Sequence, residues 1–258
     1  MKVVIFAGGL GTRISEETGT RPKPMVEIGG KPILWHIMKI YSHYGHNDFI
    51  ICLGYKGYMI KEYFMNYFLH NSDIKIDLEN NDMEILGTRS EAFKVTLVDT
   101  GLNTKTAGRL QLVKKYIGNE DFMLTYGDGV SNVNINELIA YHKTNNKIAT
   151  VTSVQPDARF GGMDLSEDGT VQSFREKAKT DAQWINGGFF VLKPDIFNYL
   201  QEDMSNVMWE DAPMEKLTSD QQLMAYKHKG FWKCMDALRD KIELNELWSE
   251  NKAPWKIW

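Results

Sequence analysis

Val3-Val4-Ile5-Phe6-Ala7-Gly8-Gly9-Leu10-Gly11-Thr12-Arg13 carries a short apolar run straight into a cluster of glycines. The apolar part is partly β-branched and too short for a helix, so it predicts a buried strand. Glycines lack a Cβ, and their backbone N–H groups can approach an anion from conformations closed to other residues. A ligand held there sits beyond the strand's carboxyl end. Arg13 adds a planar fork of donors suited to a polyphosphate. Lys23, ten residues on and beside Pro24, adds a compact charge that can be aimed at one phosphate.

Two better-known phosphate motifs fit poorly. A P-loop ends in Gly-Lys-Ser/Thr, whereas Gly11 is followed by Thr12-Arg13. The dinucleotide fingerprint finds its first two glycines in Gly9-Leu10-Gly11, but its third position is Ile14, and Ser15 to Pro24 is polar and proline-broken. A glycine-rich turn with incidental basic residues is the remaining alternative, and the loop alone does not exclude it.

Bulk properties narrow the partners. The chain of 258 residues can bury a substantial core. Thirty basic against 34 acidic residues give a net charge of −4, which provides no electrostatic footprint for nucleic acid or an anionic membrane. No stretch reaches the ~18 apolar residues of a membrane helix, and residues 1–9 lack a cleavage-type pattern, so a cytoplasmic enzyme is expected. Cys52 and Cys234 suit a reducing compartment and cannot build a Cys-rich zinc site.

Strand-like and helix-like segments then alternate. Helices are predicted over Pro32 to Tyr44, Met59 to Phe68, Ala107 to Ile117 and Ala237 to Ser249, and strands at Phe49 to Leu53, Val95 to Val98 and Phe122 to Tyr126. Ile148 to Val154 and Gly187 to Leu192 are β-rich, and Ser166-Glu167-Asp168-Gly169 is a turn between two further strand-like runs. The expectation is one α/β domain with a Rossmann-like, mostly parallel sheet flanked by helices and a smaller antiparallel β-rich region. The mostly parallel part spans residues 1–150 and the β-rich and C-terminal part 151–258. Trp255 and Trp258 predict a docking contact, with a neighbouring subunit as one candidate surface.

Gly127-Asp128-Gly129 follows the buried run Phe122 to Tyr126, so Asp128 emerges at the same carboxyl edge as the glycine-rich loop. Magnesium prefers oxygen ligands and commonly bridges one or two carboxylates to substrate phosphates. Asp236, in Trp232-Lys233-Cys234-Met235-Asp236, is the natural second ligand. Taken singly, either aspartate is also a reasonable helix N-cap, and Glu176-Lys177 alone is an ordinary solvated charge pair.

In order and spacing, Gly8 to Arg13, Lys23-Pro24, Gly127-Asp128, Glu176-Lys177, Asn186-Gly187-Gly188 and Trp232 to Asp236 resemble the sugar-1-phosphate nucleotidylyltransferases over nearly the whole chain. Pro22 to His36 and Ala253-Pro254-Trp255-Lys256 are similar to its cytidylyl-transferring branch. The resemblance implies magnesium-dependent attack by glucose 1-phosphate on the α-phosphorus of CTP, giving CDP-glucose and pyrophosphate. It implies that Ala7, Gly8, Gly9, Leu10, Gly11, Thr12 and Gly127 border the nucleotide. Arg13, Lys23 and Asp128 would be catalytic, with Arg13 on the leaving pyrophosphate and Lys23 on the sugar phosphate and α-phosphate. Asp128 and Asp236 would hold Mg2+. By the same resemblance, nucleotide binding falls to residues 1–150 and sugar binding to residues 151–258.

For the sugar, the resemblance implies Glu176, Lys177, Asn186, Gly187 and Gly188. Ala178 stands where the family commonly has proline, which loosens that turn. Thr106 and Arg109, with Thr104 as a weaker candidate, are expected to border the base and ribose. The bland alternative for Thr104 to Arg109 is a helix start capped by threonine. A homo-oligomer is also implied. A sister enzyme using dTTP or UTP is the nearest rival, and a noncatalytic sugar-nucleotide sensor a more distant one.

Overall fold

A computed structural model describes residues 1–156, 162–166, 170–175 and 183–258. Its strands are β1 (Val3–Ala7), β2 (Glu27–Ile28), β3 (Lys31–Pro32), β4 (Asp48–Leu53), β5 (Ser72–Asp77), β6 (Asp82–Thr88), β7 (Lys94–Asp99), β8 (Phe122–Tyr126), β9 (Gly129–Ser131), β10 (Ala149–Val154), β11 (Gly162–Leu165), β12 (Val171–Arg175), β13 (Ile185–Leu192), β14 (Leu223–His228) and β15 (Trp232–Cys234). The helices are α1 (Ser15–Thr18), α2 (Ile33–His43), α3 (Gly57–His70), α4 (Thr106–Ile117), α5 (Ile135–Asn145), α6 (Ala212–Ser219) and α7 (Leu238–Ser249).

Among the described residues a seven-stranded sheet runs β14-β10-β13-β8-β1-β4-β7. Its neighbours are parallel except at β13, which is antiparallel to both β8 and β10. The expected mostly parallel sheet with flanking helices and a smaller antiparallel part is therefore what forms. β11 and β12 pair antiparallel, although the turn expected at Glu167-Asp168-Gly169 lies outside the described residues.

β1 explains why the central strands are continuous apolar runs. Val3, Ile5 and Ala7 pack into the core on one face, and Val4 and Phe6 into the core on the other. Helices cover both faces, so neither can be polar. From β1 the chain builds outward through β4 and β7, then returns to β8 on β1's other side. The crevice between the ends of β1 and β8 is thus the topological switch point, where open α/β sheets bind ligands.

The C-terminal tryptophan docks on its own chain. Trp255 is fully buried, with ring centroids 5.5 Å from Phe231 and 6.4 Å from Trp248, and Trp258 meets Trp35 edge-on at 5.7 Å. The neighbouring-subunit candidate does not apply to Trp255, because the burial of so large an apolar ring is already complete within this chain.

Candidate active site

Two small pairings bring the charged residues to the switch point. The register Phe6↔Tyr126 sets the glycine-rich loop beside Gly127-Asp128, and Gly127 N–H donates to Phe6 O at 3.0 Å. β9 and β15 pair antiparallel with Cys234 opposite Gly129, and Met235 N–H donates to Asp128 O at 2.8 Å. Asp128 and Asp236 are consequently side by side although 108 positions separate them in the chain.

Lys23 stands between them. Its Nζ lies 2.7 Å from Asp128 Oδ2 and 2.7 Å from Asp236 Oδ1, and the side chain is nearly buried. Burial alone would lower the Lys23 pKa, but the charges and hydrogen bonds of both aspartates outweigh it and hold the ammonium above its ordinary value. Arg13, largely exposed, reaches Asp236 Oδ2 at 2.8 Å. Burial would raise the Asp236 pKa, yet Lys23, Cys234 and Arg13 together hold this carboxyl below the usual range. Asp236 does not cap α7. Asp240 does so, its Oδ2 accepting from the N–H groups of Asp236 at 3.0 Å and Ala237 at 2.8 Å.

The two carboxylates therefore converge on one point that a cation already occupies. This donor set fits a hard divalent ion whose other ligands come from substrate phosphates and water. Among the described residues no group of three or more His, Cys, Asp or Glu side chains is arranged to hold a metal by itself.

A cavity of about 310 Å³ opens above this cluster, lined by Ala7, Gly9, Gly11, Thr12, Arg13, Lys23, Thr106, Gly127 and Asp128 among the predicted residues. Leu10 is half-exposed at the loop tip and Gly8 is buried beneath it. Thr104 is half-buried and does not line the cavity.

Arg109 sits behind the wall of this cavity. It is 3% exposed, and its guanidinium donates to the carbonyls of Leu53 at 2.9 Å, Gly101 at 2.9 Å and Gly8 at 3.0 Å, and to Thr100 Oγ1 at 2.6 Å. It ties the loops after β1, β4 and β7 into one unit. A Cβ at Gly8 would fall 2.1 Å from the guanidinium, so the close approach of Arg109 requires glycine at this position. Thr106 opens α4 without capping it, because its hydroxyl is used elsewhere: it donates to Glu210 Oε2 at 2.9 Å and accepts from Trp209 N–H at 2.7 Å.

A model of the family "Nucleotidyl transferase" matches residues 2–248. The chain belongs to this family. A glucose-1-phosphate cytidylyltransferase of Salmonella typhi is 54% identical over all of both chains, and a probable glucose-1-phosphate cytidylyltransferase of Bacillus subtilis is 48% identical, again over all of both. Among solved structures, HddC from Yersinia pseudotuberculosis superposes with a TM-score of 0.69 at 25% identity, covering 96% of this chain and 99% of its own.

Asn186, Gly187 and Gly188 do not line the cavity of this nucleotidyl transferase but adjoin it through Tyr126: Asn186 Nδ2 donates to Tyr126 Oη at 3.0 Å and its Oδ1 accepts from Gly188 N–H at 2.9 Å. Gly188 has φ 73°, a left-handed conformation that glycine adopts without cost, and Phe189 follows at φ 50°. Gly187 serves packing, since a Cβ there would meet Val154 at 2.9 Å. Glu176 and Lys177, with Ala178, lie outside the described residues. Tyr126, Met208 and Glu210 also line the cavity, and sequence reasoning missed them. Tyr126 had a findable signal, because it ends the strand that delivers Asp128. Met208 and Glu210 lie in a segment with no motif around them.

Proposed function

We propose that this protein transfers a cytidylyl group from CTP to α-D-glucose 1-phosphate, with Mg2+ held by Asp128 and Asp236. The observation that carries the substrate choice is full-length identity of 54% and 48% to glucose-1-phosphate cytidylyltransferases. The clustering of Lys23, Arg13, Asp128 and Asp236 at one cleft supports the chemistry.

A phosphate oxygen of the sugar attacks the α-phosphorus of CTP. The new O–P bond forms as the bond to the bridging oxygen breaks, and pyrophosphate leaves with that electron pair. The nucleophile is already ionised, so no general base is needed. The task is to hold two polyanions in line against their repulsion. The amides of Gly8 to Gly11 with Thr12 cradle the triphosphate, and Arg13 neutralises the departing pyrophosphate. Lys23 has a flexible four-carbon stem on which its ammonium can turn from the carboxylates to the sugar phosphate and α-phosphate. Bound magnesium supplies Lewis-acid polarisation of the phosphate oxygens. Asn186, Gly187 and Gly188 border the sugar with Glu176 and Lys177, and Arg109 braces the wall against which base and ribose lie, with Thr104 and Thr106 at its start. Residues up to about 150 serve the nucleotide and the remainder the sugar.

The proposal includes a homo-oligomer in the cytoplasm. Two unpaired cysteines and a nucleotide substrate support the setting. The oligomer is supported by the β5–β6 ribbon, where Ile74 pairs with Ile85 and Ile76 with Met83 on one exposed apolar face. A two-stranded ribbon of this kind is marginal in water unless it is covered.

Pyrophosphate release across CTP, dTTP, UTP and several sugar 1-phosphates, with and without magnesium, tests the assignment. CTP with glucose 1-phosphate should be the preferred pair, and only with the metal present. Preference for UTP or dTTP would move the protein to a sister activity, and turnover with no pair would favour a sensor.

A further inference from the structure

Glu210 carries no expected role in the cleft, yet it bonds to Thr106 on one side and Tyr126 on the other. It lies just before α6 on a segment anchored by Trp209, which is fully buried and meets Phe190 edge-on at 5.9 Å. That segment is laced to the start of α4 by Lys105 N–H to Ser205 O at 2.7 Å and Ala107 N–H to Val207 O at 3.1 Å. One carboxylate oxygen, Oε2, accepts from Thr106 on the nucleotide side, and the other, Oε1, accepts from the Tyr126 hydroxyl at 2.5 Å. Tyr126 in turn accepts from Asn186, whose carbonyl oxygen is held by Gly188 N–H.

The direction of every bond in this chain follows from its middle. An ionised carboxylate only accepts, so both hydroxyls must donate to it. The Tyr126 oxygen is then left as an acceptor, which turns the Asn186 NH2 toward it and the Asn186 oxygen toward Gly188. Glu210 thereby makes the Tyr126 oxygen the acceptor that holds the Asn186 NH2, while Gly188 N–H holds the Asn186 oxygen from the other end, and it fixes Thr106 on the nucleotide side.

We infer that Glu210 is a positioning residue through which the nucleotide and sugar half-sites are energetically coupled, along Thr106–Glu210–Tyr126–Asn186. A nucleotide seated against Thr106 fixes Glu210 and hence the Asn186 amide, so the sugar phosphate meets an oriented partner. Linkage makes the effect reciprocal: each substrate tightens the other by one and the same factor. The inference rests on the proposed assignment of the two halves.

The test is calorimetric. Glucose 1-phosphate affinity is measured with and without a CTP analogue whose α,β-bridging oxygen is replaced by methylene, and the ratio of the two affinities is the coupling factor. Glu210→Gln keeps the shape but offers one acceptor oxygen where two are needed. Its coupling factor should fall at least about fivefold below that of the unaltered protein. Tyr126→Phe cuts the chain one bond further on, should give the same loss, and serves if the first variant folds poorly. Simple damage to the site weakens each substrate alone and cancels in the ratio. Unchanged coupling factors in both variants overturn the inference. If the unaltered protein instead binds a different nucleotide and sugar phosphate, the substrate assignment falls, and the same ratio on that pair still decides the role of Glu210.

Discussion

The cleft and the β5–β6 ribbon break the ordinary distribution of polar and apolar groups in opposite ways. The cleft buries a lysine and an arginine and surrounds each with acceptors, while the ribbon leaves isoleucine, leucine and methionine side chains exposed. Leu78 at the ribbon's tip is 89% exposed. Buried charge and bare apolar surface both cost stability, and each departure marks the kind of partner it meets. In the proposed function the preorganised cations meet a polyanion, and the apolar strand face meets a second copy of the chain.

Breaking the cleft should cost more than breaking the ribbon. Arg109→Met keeps the volume near that of the arginine stem but removes a charged donor from the carbonyls of Gly8, Leu53 and Gly101, the first two of which keep only Tyr55 N–H and Thr100 respectively. Each hydrogen bond lost from the charged guanidinium is worth about 1.5–3 kcal/mol, so denaturant unfolding should show a loss of several kcal/mol and nucleotide affinity should fall with it. Stability and affinity equal to those of the parent would mean that Arg109 is not the brace joining the three loops. On the ribbon, Ile76→Glu should leave folding intact and weaken self-association tenfold or more, measured by sedimentation at micromolar concentration. A parent protein that sediments as a monomer would remove the oligomer from the account.

The two regions also differ in how far the chain announces them. β1, β4 and β8 were legible because burial on both faces leaves no charged position in Val3–Ala7, Phe49–Leu53 or Phe122–Tyr126. The ribbon went unnoticed although Ile74 and Ile76 alternate with Asp73, Lys75 and Asp77, because that alternation normally marks a half-buried strand in a sheet. β14 was missed for a related reason: at the sheet's edge, Leu223–His228 mixes apolar and polar residues. In the cleft, Gly8 to Arg13, Lys23, Asp128 and Asp236 lie in recognisable local patterns. Glu210 has no such pattern, since its partners Thr106 and Tyr126 are 104 and 84 positions away. Its role exists only once the sheet has formed. Arg109 was expected at the base, and its guanidinium instead stands behind the wall, because only a buried, many-pronged donor can satisfy several loop carbonyls at once.

In the proposed mechanism the Lys23 ammonium between Asp128 and Asp236 is the working part of the cleft. Replacing Lys23 with alanine and following pyrophosphate release from CTP and glucose 1-phosphate tests it most directly. With the circular dichroism spectrum unchanged, turnover should fall by roughly 10²-fold or more, the loss expected when a preorganised charge at a reacting phosphate is removed. Near-normal turnover in a folded Lys23→Ala protein would exclude Lys23 from the chemistry.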